Sequence, residues 1–493
     1  MTPPLSRKRK VVLAVIDALD PEALQRAVAA DSAPTLKAIM DRGSYVDDCV
    51  STFPSVTPVA ASAIATGLGP DEHLIPSMSW YHRGEERYVD YGSSFQATRA
   101  HGIFRSLTDT VYNLNLSHLT QERRTVFEYL DDAGLRTACT TYLIYRGRHR
   151  QEPSRDSPYI KLAEAAQFRH PTWAARELFY ADIFDTQSTG CFSTLGMPGQ
   201  RDRHAGCVGA HLVENDLFDF LLFSLPDNDT YSHRAGPSGQ PHSIAEADRA
   251  LKRLMHPAGG ADAFLEEHAV VVMSDHSQNT VSQSTNLADA LDDWRILTPA
   301  NVEPDEAQIA VCPGSRSAHV YALRDADRAE VVSGVMRRLG EVEGVDLVAR
   351  RDDGGALVSS ERGELRFSPG GDLVDARGGS WTVEGDLGAL DLEAGDGGVR
   401  SHQYPDALGR LWSSLCCARA GEVQVSAEPG HEFTDWGGSD HVGGGSHGSL
   451  HRCDSLGVLI TSGIGPDDPG EREQWSIRDV TPMVLDHFGL PSR

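Results

Sequence analysis

No apolar run in this sequence is long enough to cross a bilayer. After the basic opening MTPPLSRKRK comes only Val11–Ile16, broken by Asp17 and too short even for a secretory h-region. The default expectation is a cytoplasmic protein. Positive charge is scarce: 45 Lys and Arg stand against 71 Asp and Glu, a formal net charge of −26. Such a surface repels polyanions, which argues against nucleic-acid polymers and membranes as partners. The acidity itself reads as a solubility feature. The eight cysteines include no C-x-x-C pair, so no cysteine-based zinc or redox motif is visible. Several lie in apolar contexts that suit buried thiols. Internal repeats and long low-complexity tracts are missing too.

What is present is ample material for a core. A chain of 493 residues, 40% hydrophobic and 24% charged, can form one large domain with insertions, or two domains. Val11–Ile16, Thr137–Leu143, Phe218–Ser224, Ala269–Met273 and Gly457–Thr461 read as buried parallel strands. Helical patterns fall at Pro34–Arg42, Thr125–Ala133, Ile244–Met255 and Val480–Phe488. This alternation predicts an α/β fold, a mostly parallel central sheet sandwiched by helices. Between residues 277 and 439 the rhythm changes. Ser317–Leu323, Ala329–Leu339 and Val345–Arg350 read as a βαβ piece, and short alternating runs around Glu364–Phe367 and Trp381–Val383 read as hairpins. The expectation is a core made of 1–276 and 440–493, with an inserted α+β subdomain at 277–439 serving as a cap or wall.

In open α/β sheets, ligands bind at the carboxyl ends of the strands. Asp17 follows the first strand, Asp227 and Asp229 the third, and Asp275 and His276 the fourth. Any one of these is an ordinary turn or cap residue; their recurrence after successive strands points to a site. Asp229 and His233 are spaced to share one helix face. His447 lies in the glycine-rich run Gly443–Gly448, where the backbone can approach a ligand closely. Ser51–Gly67 (STFPSVTPVAASAIATG) places Thr57 where an N-cap belongs and Pro58 at the first helical position, with Gly67 as terminator. A helix N-terminus suits a phosphate. Asp, His and Thr donors suit Zn²⁺, with Mn²⁺ or Fe²⁺ as options, and the number of donors is enough for two divalent ions. Three carboxylates against two such ions leave the site about +1, which attracts a phosphate and helps to ionise Thr57.

These segments, taken in order, resemble the alkaline-phosphatase superfamily, and within it the type I phosphodiesterase/nucleotide pyrophosphatase branch. Phe53-Pro-Ser-Val-Thr57 through Thr66-Gly67 matches that branch's Phe-Pro-x-x-Thr…Thr-Gly run, and His233-Arg-Ala-Gly-Pro237 its His-x-x-Gly-Pro run. The resemblance implies Thr57, rather than Thr52 or Ser55, as nucleophile. It implies Asp17, Thr57, Asp275 and His276 on one metal, and Asp229, His233 and His447 on the other. The implied activity is hydrolysis of a small phosphorylated substrate, a phosphodiester or nucleotide pyrophosphate, through a phosphothreonine.

One departure bears on substrate. Where the branch often carries His-Gly-Ile-x-x-Asn, this chain has His73-Leu-Ile-Pro-Ser77-Met78-Ser79, and methionine cannot donate a hydrogen bond to phosphate. Ser77, Met78 and Ser79 are therefore the expected substrate-binding stretch, with the serines or backbone N–H groups in place of the amide. A sulfatase reading is weakened, because Thr57-Pro-Val-Ala-Ala lacks the Cys/Ser-x-Pro-x-Arg that is converted to formylglycine. A phosphomonoesterase or phosphonate hydrolase on the same site stays open, with Arg146, Arg148 and Arg234 as candidate counter-charges for a dianion. A metal-stabilised binding protein is the non-enzyme alternative. Asp440–His441 is expected to support the site, and His402, Tyr404 and Trp412 to pack in the core or anchor a loop. Trp80, Tyr81 and His82 are equally suited to a substrate wall or a buried cluster. The sequence leaves the oligomeric state open.

Overall fold

The computed structural model describes residues 8–154, 170–299, 306–466 and 468–491. Most of the basic opening stretch lies outside them. The strand Lys10–Ile16 shows why the chain folds as it does. Its side chains alternate between two apolar layers: Val11, Leu13 and Val15 join one and Val12, Ala14 and Ile16 the other. A strand buried on both faces belongs inside a helix-covered sheet. It sits near the middle of an eight-stranded sheet in the order Ser44–Val50, Leu456–Ser462, His268–Met273, Lys10–Ile16, Phe220–Leu225, Thr137–Thr140, Glu177–Tyr180, Phe184–Asp185. The five strands from His268–Met273 to Glu177–Tyr180 run parallel. The helix Thr57–Thr66 packs on one face; Pro21–Ala29, Arg201–Glu214 and Gln240–Met255 cover the other.

The expected mostly parallel α/β architecture is therefore present, with Leu456–Ser462 and the two-residue edge strand Phe184–Asp185 reversed. Leu456–Ser462 is antiparallel to both neighbours, His268–Met273 and Ser44–Val50, so the expectation of a parallel strand at Gly457–Thr461 is corrected. The chain reaches it from the His447 loop, at the carboxyl edge of the parallel strands, and must run away from that edge. A long apolar run signals burial on both faces but not direction.

A second, ten-stranded sheet draws its strands from Ile296–Leu297 through Val423–Ala427. Ser317–Ala322 and Val345–Asp352 flank Val423–Ala427 and are antiparallel to it, with helix Arg328–Leu339 connecting them. The expected βαβ piece thus exists with a third strand inserted between its two. The hairpin Gly363–Val374/Ser380–Gly385 is also present. Tyr404 and Trp412 are core residues of this unit, the Tyr404 hydroxyl donating to Asp346 at 2.7 Å. His402 meets Arg452 at 2.6 Å.

Two buried arginines tie the second sheet to the loops of the first. Arg316 faces Asp454 at 3.3 Å with both side chains fully buried, and its backbone N–H donates to the His447 carbonyl at 2.9 Å. Arg410 donates to the carbonyls of Thr52 and Leu450, each at 2.9 Å. Cys191 and Cys207 form a disulfide, a pairing their scattered positions did not announce; the other six cysteines are free. No helix among the described residues is long and apolar enough to cross a membrane. Replacing Arg316 by Met would leave the Asp454 carboxylate buried and unpaired, a loss of about 3–5 kcal/mol. Urea unfolding of the Arg316→Met protein is expected to show it as an earlier midpoint.

Candidate active site

Three neighbouring parallel strands deliver acidic side chains to one edge. Asp17 follows Lys10–Ile16, Asp275 and His276 follow His268–Met273, and the helix Asp227–Ala235 after Phe220–Leu225 carries Asp229 and His233. His447 arrives from the far side of the sequence. The short strand Gly445–Ser446 pairs with Asn279–Thr280, just beyond His276, and the His276 and His447 rings stack with centroids 3.8 Å apart.

Thr57 is the first residue of its helix, and the N-cap is Val56, whose carbonyl accepts from Val59 and Ala60, each at 3.0 Å. This corrects the expected register by one residue: Pro58 is second, not first. The shift has a chemical consequence. A capping threonine would turn its hydroxyl to the helix, whereas the Thr57 hydroxyl lies 3.2 Å from Nε2 of His276. Gly67 ends the helix with φ of 73°, as expected.

Around that hydroxyl the donors crowd. His276 Nε2 is 3.6 Å from Asp17 and 3.5 Å from Asp275. Asp229 lies 3.4 Å from His233 Nε2 and 3.7 Å from His447 Nε2. Ligand atoms of Asp229, His233 and His447 fall within 4.8 Å of one another, as do those of Asp17, Asp229 and His276. Asp229 is common to both groups.

The three imidazoles are oriented alike. Nδ1 of His233 meets the Gly445 carbonyl at 2.8 Å, that of His447 the Ser55 carbonyl at 2.9 Å, and that of His276 the Ser277 carbonyl at 3.2 Å. A carbonyl only accepts, so Nδ1 carries a proton and Nε2 faces the centre, where a neutral ring offers its lone pair, the arrangement found in metal-ligating histidines. Burial pushes His276 down to about 4, and burial with the His276 neighbour pushes His447 down to about 3. Both are neutral and ready to ligate. His233 goes the other way: burial opposes its charge, but Asp229 outweighs it and raises it to about 9.

The carboxylates crowd one another. Burial, then Asp275 and Asp229, hold Asp17 well above the usual carboxylate range, and burial raises Asp275 to about 7, with Asp229 adding to it. Oδ1 of Asp17 is buried without a hydrogen-bond partner. An orphaned oxygen beside two further carboxylates and three inward-facing imidazole Nε2 atoms, with His233 giving up its proton to bind, is a donor set that fits a divalent cation with N/O preference.

A family model described as type I phosphodiesterase / nucleotide pyrophosphatase matches residues 11–450. The chain belongs to the type I phosphodiesterase/nucleotide pyrophosphatase family. The solved structures that share the fold of this phosphodiesterase-family chain include those of two proteins. Phosphonoacetate hydrolase from Sinorhizobium meliloti 1021, in complex with phosphonoformate or phosphonoacetate, aligns at 17% identity and TM-score 0.55, over 96% of this chain and 94% of that one. Murine ectonucleotide pyrophosphatase/phosphodiesterase 5, an inactive threonine-to-alanine variant in complex with AMP, aligns at 11% identity and TM-score 0.58, over 99% and 96%. No curated protein matches by sequence.

The remaining candidates divide. Ser77 and Ser79 are buried with partnerless hydroxyls, Ser77 beside Gly314, and Met78 packs half-buried on the core. Trp80 and Tyr81 belong to the buried cluster, Trp80 edge-on to His118 at 5.2 Å. Arg146 and Arg148 are not free counter-charges: both pair with Glu128, at 3.2 and 2.9 Å, and Arg148 also with Asp132. Asp227 anchors Arg201 and the Gly199 and Asp202 N–H groups rather than entering the site.

Sequence reasoning missed the residues that hold the ligands. Glu432, buried, accepts from His441 Nδ1 at 2.8 Å, and the His441 ring stacks on His233 at 4.1 Å. Gln278 donates to Asp229 at 2.6 Å, and Asn228 to the Asp17 carbonyl at 2.8 Å. None sits in a motif; Asn228 and Gln278 stand close to Asp229 and His276 in the chain, whereas Glu432 has no candidate ligand near it in sequence. Gly444 has no room for a side chain, since a Cβ there would lie 1.9 Å from the His233 carbonyl oxygen. Gly444→Ala is expected to push His233 out of place. Metal analysis of that variant should show less bound metal than the parent, with far-ultraviolet circular dichroism unchanged.

Proposed function

We propose that this chain is a metal-dependent hydrolase of phosphodiesters or nucleotide pyrophosphates, working through a phosphothreonine on Thr57. The observation that carries the reading is the Thr57 hydroxyl at a helix N-terminus, 3.2 Å from His276 and ringed by the Asp and His donors. Asp17, Thr57, Asp275 and His276 would hold one divalent ion, and Asp229, His233 and His447 a second, with Zn²⁺ best suited to the mixed N/O set. When bound, such ions neutralise phosphate charge and lower the pKa of coordinated hydroxyls.

The chain's own groups supply the rest. Thr57 Oγ1 attacks phosphorus; a new P–O bond forms as the bond to the leaving oxygen breaks and that oxygen takes a proton. Water then attacks the phosphothreonine, and the Thr57 hydroxyl is restored. The helix behind Thr57 directs its positive end at the transferred group. The inactive threonine-to-alanine variant of the murine relative supports a threonine requirement. Diesters are favoured over monoesters because Arg146 and Arg148 are committed to Glu128 and Arg234 lines a separate cavity on the other face of its helix, so none of the three adds charge for a dianion. Hydrolysis of a phosphonate is the second reading, favoured by the fold match to phosphonoacetate hydrolase across nearly all of both chains. Ser77, Met78 and Ser79 are proposed to border the substrate; the Ser77 and Ser79 hydroxyls are buried and have no hydrogen-bond partner among the described residues.

Purified protein is expected to carry close to two metals per chain and to lose activity on chelation. Thr57→Ala should keep its fold and lose roughly a thousandfold or more in turnover. Equal rates for parent and variant on a nitrophenyl nucleotide diester would disprove the nucleophile. Faster cleavage of phosphonoacetate than of the diester would select the second reading.

A further inference from the structure

The helix Asp227–Ala235 has two working faces. One turns Asp229 and His233 to the site. The other, with Thr230, Tyr231 and Arg234, forms a wall of a separate cavity of about 630 Å³. None of the seven candidate ligand residues lines this cavity.

Its charge is unusual for so acidic a protein. Four arginines line it: Arg203, Arg234, Arg249 and Arg253. Arg249 is paired with Glu246, and the Asp227 carboxylate is taken by Arg201 at 2.8 Å. Arg203, Arg234 and Arg253 have no acidic partner among the described residues, so three guanidinium groups face one concavity uncompensated. At the same wall Asp202 is 2% exposed, and its Oδ2 is buried with no hydrogen-bond partner, while Oδ1 accepts from the Asp227 N–H at 3.0 Å. Tyr231 and His242 set their rings side by side there, centroids 5.4 Å apart.

We propose that this cavity is a binding site for a small phosphate-bearing anion, its phosphate held by Arg203, Arg234 and Arg253 and its organic part laid against Tyr231 and His242. Guanidinium groups present paired donors that match phosphate oxygens. Burial, with Asp227 beside it, raises Asp202 to about 8, which lessens the repelling charge at this wall. The cavity is of the size that takes small organic ligands, which are typically bound in spaces of about 300–1,000 Å³. Pairing Asp227 with Arg201 and Glu246 with Arg249 removes the acidic competitors from the same space.

The site is independent of the hydrolase reading, and the test separates them. Inorganic phosphate is titrated calorimetrically into the metal-loaded full chain, into the Arg203→Ala/Arg253→Ala double variant and into His447→Ala. Both arginines are exposed, so the fold should survive their loss, as circular dichroism would check. The parent should bind phosphate at a site that His447→Ala retains and the double variant loses or weakens at least tenfold. The double variant should also keep the parent's KM for a nitrophenyl diester. Equal phosphate binding by parent and double variant, or loss of all binding in His447→Ala, would overturn the proposal. Failure of the hydrolase reading would show instead as absent turnover with this phosphate site intact.

Discussion

Three carboxylates and three imidazoles share a buried space a few ångströms across, and the rest of the structure serves to keep them there. Like charges at such separations repel strongly once water is excluded. Burial, with that repulsion added to it, holds the Asp17 and Asp275 carboxyls above their usual range. A chain left to itself would relax it by turning side chains outward. Here five of the candidate ligand residues are tied from behind: Asp17 through its carbonyl to Asn228, Asp229 to Gln278, and the three histidines through Nδ1 to backbone carbonyls.

The two sheets divide this labour. The parallel sheet presents Asp17, Asp229, Asp275 and His276 from adjacent strand ends, where α/β topology concentrates ligands. The second sheet holds the loop that brings His447, through the Arg316 N–H and the buried Arg316–Asp454 pair. It reaches the segment that leads to Thr57 too, through Arg410 and the Thr52 carbonyl.

The parallel strands and the order of the ligand segments were legible because burial on both faces writes a short apolar run, and because a strand-end aspartate follows it directly. The Thr57 register was legible only to within one residue, since Val56 and Thr57 can each begin a helix before Pro58 and only the backbone geometry decides. The direction of Leu456–Ser462 was hidden, for burial pattern carries no polarity. Glu432, Gln278 and Asn228 were hidden for another reason: a residue that supports a ligand is set by tertiary contact across as much as 211 positions, as between Asn228 and Asp17, and leaves no local spacing. Arg146 and Arg148 erred in the opposite sense, looking like free cations until their partner Glu128 was in view.

The reversed strand has a bearing on biosynthesis. Ser44–Val50 is separated from the rest of its sheet by Leu456–Ser462. On the ribosome the early segment therefore waits, its neighbour unmade, until residue 462 has emerged. Until then the nascent sheet ends at His268–Met273 with an open apolar edge, a surface that invites helper proteins or mispairing.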